Sequence, residues 1–228
     1  LTLPRAEAEH VARIVKTLSA RGKAFVQTPD IRRASAVILG YLQTRPEQKL
    51  LILVPTVRDV ELMHSRLTGV EPLVITGKES NNERFTAWQT FRSHSSGVLL
   101  GTRTALLAID ASVTTIFLLR AADAGHKSTD RNPRYDVRRL VWQYHERFAS
   151  NLFCLDVAPQ SLTVHQFDEL ERVSWGVYPD ARAVSATQEL TASAMQRVGY
   201  TAIQAITACL AQGKSAVCVY NHKGTGEL

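Results

Sequence analysis

Ala24-Phe25-Val26-Gln27-Thr28-Pro29-Asp30-Ile31-Arg32-Arg33-Ala34-Ser35 is the stretch on which the reading of this chain turns. Ala24 to Gln27 predicts a short apolar strand. Ala34, Val37, Ile38, Tyr41 and Leu42 then fall at helical spacing. A strand, a glycine-rich phosphate loop and a helix ordinarily occupy such a frame. The loop needs glycines so that bare amides can approach phosphate oxygens. It also needs a Lys for the β- and γ-phosphates and a Ser or Thr for magnesium. Here no glycine lies between Gly22 and Gly40, Pro29 removes an amide donor, and Ala34 stands at the lysine position. Only Ser35 keeps the expected type. Thr28, Arg32, Arg33 and Ser35 therefore mark a vestigial nucleotide site.

Outward from this stretch, apolar runs and amphipathic segments alternate. Val11, Ile14, Val15 and Leu18 predict a helix that ends near Gly22. Leu50 to Val54 is a continuous apolar run closed by Pro55, as suits a strand buried on both faces of a parallel sheet. Thr56 can cap a helix carried by Val57, Val60, Met63 and Leu67. Strands are expected at Leu73 to Thr76, Val98 to Leu100, Thr115 to Leu119 and Leu152 to Val157. Phe85, Trp88 and Phe91 share one helical face, with Trp88 and Phe91 read as core. Pro133 opens another helix, with Val137, Leu140, Val141, Tyr144 and Phe148 inside. A short helix is expected from Ser161. The fold class is α/β, an open, mostly parallel sheet with helices on both faces and a degenerate phosphate loop.

Residues 1–172 are expected to form one lobe and residues 173–190 a linker. Residues 191–228 would begin a second lobe, with a helix at Thr201 to Leu210 and a strand at Ala216 to Tyr220. Both ends read like cuts in a longer protein.

The 228 residues are 45% hydrophobic, enough for a core, and carry a net charge of +6. The basic balance points to an anionic partner, nucleic acid being the commonest. Seven Arg and Lys stand against four Asp and Glu between Arg120 and Arg147. Cys154, Cys209 and Cys218 are far apart and are read as buried free thiols in a reducing compartment. No signal peptide or run of eighteen apolar residues occurs, so no membrane partner is expected. His64, His94, His126, His145 and His165 show no paired metal spacing. Ser161 lacks the Gly-x-Ser-x-Gly elbow of a hydrolase.

Six short stretches, in order, resemble the primosomal protein N′ family of bacterial replication-restart helicases, in helicase superfamily 2. They are Leu51 to Pro55; Thr76 to Ser80 with Glu83, Arg84 and Trp88; Gly101 to Leu106; Pro133-Arg134-Tyr135 with Arg138 and Leu140; Leu155 with Ala158, Ser161 and Leu162; and Leu190 to Tyr220 followed by Asn221-His222-Lys223-Gly224. The departures concentrate on ATP chemistry. The family's acidic metal box follows the strand that is here Ile116 to Leu119, but this chain reads Arg120-Ala121-Ala122-Asp123. That leaves no metal carboxylate pair and no general base. Asp123 is a relic of the site.

The resemblance implies a degenerate first RecA-like lobe that binds stalled, branched or single-stranded DNA. It would recruit replication proteins in the bacterial cytoplasm, at the nucleoid, without ATP hydrolysis. ATP and magnesium are not expected, and a zinc module would lie outside this region. Thr102 and Arg103, at the opening of a helix with free amides, with Lys78, Arg84, Arg134 and Arg138 are the expected DNA-backbone contacts. One rival reading is an active ATP-dependent 3′–5′ DNA helicase with a noncanonical site using Arg32, Arg33 and Ser35. A second is an α/β protein unrelated to DNA.

Overall fold

The computed structural model describes residues 5–128, 134–158, 173–174, 200–214 and 216. The chain divides into two compact units, Leu1–Val177 and Tyr178–Leu228. In the first, the order is α1 (Arg5–Ser19), β1 (Lys23–Gln27), α2 (Ile31–Thr44), β2 (Lys49–Leu53), α3 (Val57–His64), β3 (Leu73–Ile75), α4 (Asn81–Ser93) and β4 (Gly97–Gly101). A 3-10 helix (Arg103–Ala108), β5 (Thr115–Leu119), a second 3-10 helix (Ala124–His126), α5 (Val137–Phe148), β6 (Asn151–Asp156) and β7 (Val173–Ser174) follow. The described part of the second unit holds α6, Tyr200–Ala211.

The strands form one sheet in the order β3-β4-β2-β5-β6-β1-β7. Every pairing is parallel, with Leu51 opposite Leu99 and Ile116, and Phe25 opposite Cys154. β2 is buried along its whole length, as its unbroken apolar run demands. Alternate residues feed opposite faces of the sheet. Leu50, Ile52 and Val54 join Val15, Ile38 and Met63 of α1, α2 and α3. Leu51 and Leu53 join Phe91 of α4, Ala105 and Val141 of α5. Burial pushes the Cys154 thiol up to about 12, with Asp156 adding to the effect, so it is protonated and inert at neutral pH.

The expected strands and helices of residues 5–128 and 137–156 are present, with most ends shifted by a residue or two; the helix expected to open at Pro133 begins at Val137, capped by Asp136, and the one expected to carry Leu67 ends at His64. The clearest difference is after β4, where six residues form a 3-10 helix. Its tightness has a local cause. A Cβ at Gly101 would lie 2.0 Å from the Ile75 carbonyl oxygen and 2.5 Å from the Ala105 Cβ, so only glycine lets β3, β4 and this helix meet. Phe91 is fully buried as expected, but Trp88 is only partly buried. Among the described residues no helix is long and apolar enough to cross a membrane. Pro133, the helix from Ser161, Leu162, the linker beyond Ser174, Cys218 and the segment 217–224 lie outside the described residues.

Candidate nucleic-acid interface

Parallel strands deliver all their C-terminal ends to one edge, and two depressions lie there. The first, about 260 Å³, sits where β1, β5 and β6 end. It is the place a phosphate loop would line, and its chemistry is inverted. Asp30 caps α2 by accepting from the Arg33 amide at 2.8 Å. A carboxylate thus holds the helix N-terminus that a phosphate would use. Asp59 and Asp156 also line this pocket, and Arg120 is its one cation among the described residues.

The Arg120 guanidinium lies 3.0 Å from both Asp59 oxygens and 2.9 Å from Asp123. Thr56 caps α3 and donates to the same Asp59 carboxylate at 2.6 Å. Asp156 accepts from the Ala122 amide at 2.8 Å. The carboxylates are thus engaged with protein donors.

The residues expected as a vestigial site are dispersed. Thr28 is buried at the pocket wall, its amide donating to the Asp156 carbonyl at 2.8 Å. Glu7 of α1 takes the guanidinium groups of Arg32 and Arg33, at 3.3 and 3.1 Å, and Asp30 takes Arg33 again at 2.8 Å. Ser35 is wholly buried and donates to the Arg32 carbonyl at 2.7 Å. It points into the core, which corrects its expected place beside a phosphate. Asp123 caps the second 3-10 helix through the Gly125 amide, 2.8 Å away, besides pairing with Arg120. The Arg120–Asp59 pair went unread in the sequence. Its members are 61 residues apart, and only the meeting of the β2 and β5 ends joins them.

The second depression is a groove of about 520 Å³ where β2, β3 and β4 end. It gathers Thr76 after β3, Arg84 of α4, and Thr102, Arg103 and Thr104 after β4, and among the described residues no carboxylate lines it. Gly125 lets the loop after β5 close its far wall, since a Cβ there would lie 2.6 Å from the Pro55 carbonyl oxygen. The rim turn is held by Glu79, which accepts from the Thr76 hydroxyl at 2.6 Å and the Gly77 amide at 2.7 Å. Burial alone would raise the Glu79 pKa. These hydrogen bonds outweigh it and hold the carboxyl below the usual range.

Two expected contacts are corrected. Thr102 is 6% exposed, its hydroxyl donates to the Thr76 carbonyl at 2.8 Å and its amide to the Ile75 carbonyl at 3.1 Å. It braces the groove and has no donor left for a phosphate. It also makes no side-chain cap to the six-residue 3-10 helix beside it. Arg138 is 7% exposed and turned inward, forked onto Asp136 at 2.8 and 2.6 Å and donating to the Ala121 carbonyl. Burial would raise the Asp136 pKa, but Arg138 lowers it further.

Arg103 and Arg84 do line the groove. Arg103 donates to the Lys127 carbonyl at 3.0 Å, and Arg84 to the Glu79 carbonyl at 3.1 Å. Lys78 is exposed on the rim turn, 3.7 Å from an exposed Glu61, a pair water screens heavily. Arg134 is exposed, just ahead of Tyr135 on the groove wall. Among the described residues no cluster of three metal-binding side chains occurs.

Residues 32–140 match the family model of the helicase conserved C-terminal domain. No curated protein matches the chain. The C-terminal domain of a Dbp5 variant from S. cerevisiae, solved bound to Gle1 and IP6, is similar, with a TM-score of 0.50 at 17% identity. That likeness covers 67% of this chain and 89% of the other. The Pyrococcus furiosus Hef helicase domain is similar with a TM-score of 0.51 at 19% identity, over 75% of this chain and 38% of that one. The match begins inside α2, so β1 and the turn after it fall outside it. The described lobe thus has the mostly parallel RecA-like fold seen in helicase C-terminal domains, and residues 32–140 are similar to the helicase conserved C-terminal domain.

Proposed function

We propose that this lobe is a nucleic-acid-binding scaffold that grips the backbone of forked or single-stranded DNA without hydrolysing ATP. Its role would be that of a replication-restart protein in the bacterial cytoplasm, recruiting replication proteins to a stalled fork. The observation that carries the reading is the contrast between the two depressions. The pocket where triphosphate would sit is lined by Asp30, Asp59 and Asp156 around one internally paired guanidinium. The neighbouring groove is lined by hydroxyls and two arginines with no carboxylate. The first disfavours a polyanion; the second suits one.

An active helicase with a noncanonical site loses support from the same geometry, because Arg32 and Arg33 are drawn to Glu7. We assign the first-lobe role because β1 and its following turn build the acidic pocket, in the frame a phosphate loop would fill. The C-terminal likeness carries the RecA-like plan that both lobes share.

Two titrations test this. Calorimetry with ATP-magnesium is expected to show no binding; sub-millimolar affinity would overturn the non-hydrolysing role. Binding to a labelled DNA fork is expected to weaken with salt. Lys78, Arg84 and Arg103 predict a slope of about −2 to −3 in log K against log salt, at about 0.7–0.9 per phosphate. A flat salt profile would remove DNA from the proposal.

A further inference from the structure

α4 presents an aromatic stripe that the core does not use up. Phe91 is buried, whereas Phe85 one and a half turns earlier is 50% exposed, and Leu107 opposite it is 67% exposed. A small depression of about 210 Å³ separates them, lined also by Trp88, Arg84 and Thr104. The Phe85 and Trp88 rings meet edge to face, centroids 5.6 Å apart. The Arg92 guanidinium lies 5.1 Å from the Trp88 ring centre and is itself tied to Asp110 at 2.9 Å, which steadies the indole. Side chains that only capped one another would be covered; these are not.

The depression is continuous with the threonine-lined groove, because Arg84, Thr104 and Leu107 line both. Among the described residues no carboxylate lines either one. Arg84 spends one nitrogen on the Glu79 carbonyl, and its buried Nε has no hydrogen-bond partner among the described residues. A polar, cationic channel therefore opens directly onto an apolar, aromatic shelf. That is the polarity of one nucleotide, phosphate at one end and base at the other.

We infer that Phe85, Trp88 and Leu107 form a platform for an unpaired base whose phosphate lies in the adjoining groove. The inference rests on the nucleic-acid reading and goes beyond it by naming the strand state. A duplex hides its base faces and offers this shelf nothing, while a single strand stacks on aromatic side chains whatever its sequence. The carboxylate-free cationic lining favours this anionic occupant over a peptide.

The test measures binding of the full 228-residue chain to three labelled probes by anisotropy: oligo-dT, an abasic strand of equal length, and a blunt duplex. Oligo-dT is expected to bind about tenfold more tightly than the abasic strand, the scale of one stacked base. Phe85→Ala should erase that difference and leave abasic binding and its salt slope unchanged. Phe85→Trp should keep it. Phe85 is half exposed and lines the shelf rather than the groove, and thermal melting checks that the variants fold. Equal affinity of the wild type for oligo-dT and the abasic strand, or a Phe85→Ala variant that keeps the preference, would overturn the platform while leaving the backbone groove standing. Failure to bind any probe at low salt would overturn both.

Discussion

Arg120 holds φ at 50°, in the left-handed region that costs a side-chain-bearing residue about 1–2 kcal/mol. Two restraints keep it there. Its amide donates to the Leu155 carbonyl at 2.7 Å, and its carbonyl accepts from the Asp123 amide at 2.8 Å. The conformation aims the guanidinium back at Asp59, whose side chain is 10% exposed. Arg120→Ala would leave that carboxylate beside Asp123 without its cation. A loss of about 1–2 kcal/mol is expected, read by urea denaturation. Arg120→Gly loses the same pairs but sheds the backbone strain, so it should destabilise by about 0.5–1 kcal/mol less than the alanine variant. Equal losses would mean that the strain is not what the left-handed angle implies. The Arg-Ala-Ala-Asp run disclosed the missing metal carboxylates. The partner of the cation was not legible, because Asp59 reads only as an ordinary residue three places after a capping Thr56.

At the scale of elements, strands and helices were legible because burial leaves a period in the sequence. β2 and β5 are buried throughout and apolar at every position after the first, and α2 and α5 repeat at helical spacing. The 3-10 turn after β4 was not legible, since its geometry follows from a contact with Ile75 on a neighbouring strand. Gly101→Ala tests that contact. Pushing the Ile75 carbonyl and Ala105 away is expected to cost about 1–3 kcal/mol in thermal denaturation. It should also weaken DNA binding, because the Thr102 hydroxyl would lose its 2.8 Å bond to the Thr76 carbonyl. The aromatic stripe of α4 shows the same division. Its spacing was plain and Phe91 was legible as core, but only the arrangement of β3, β4 and the 3-10 helix shows that Trp88 is half covered and Phe85 exposed.

For the molecule as a whole, acid is expected to act through the loop after β5. His126 is fully buried, with Nε2 2.8 Å from the Leu119 carbonyl and no partner for Nδ1 among the described residues. Burial lowers its pKa below the ordinary 6.5; the Leu119 carbonyl opposes this, Arg138 reinforces it, and Asp123 and Asp136 oppose it. The unfolded chain therefore binds a proton near pH 6.5 before the folded chain does. Stability is full above that value and declines as pH falls through it toward the depressed folded value. His126→Gln, which cannot titrate, should flatten the melting temperature between pH 7.5 and 5.5. An unchanged profile would remove His126 as the cause.

The sequence by itself determined the order of strands and helices, the buried character of the central strands and the loss of a glycine-rich phosphate turn. Each of these is written locally, in the period of apolar residues or in the identity of a few neighbours. Only the tertiary structure decided which charges meet. It turned Arg138 into the interior, drew Arg32 and Arg33 to Glu7, and set Arg120 against Asp59. The physical reason is the strand order. A parallel sheet that runs β3-β4-β2-β5-β6-β1 collects loops far apart in the chain at one edge, and electrostatics there depends on distance in space.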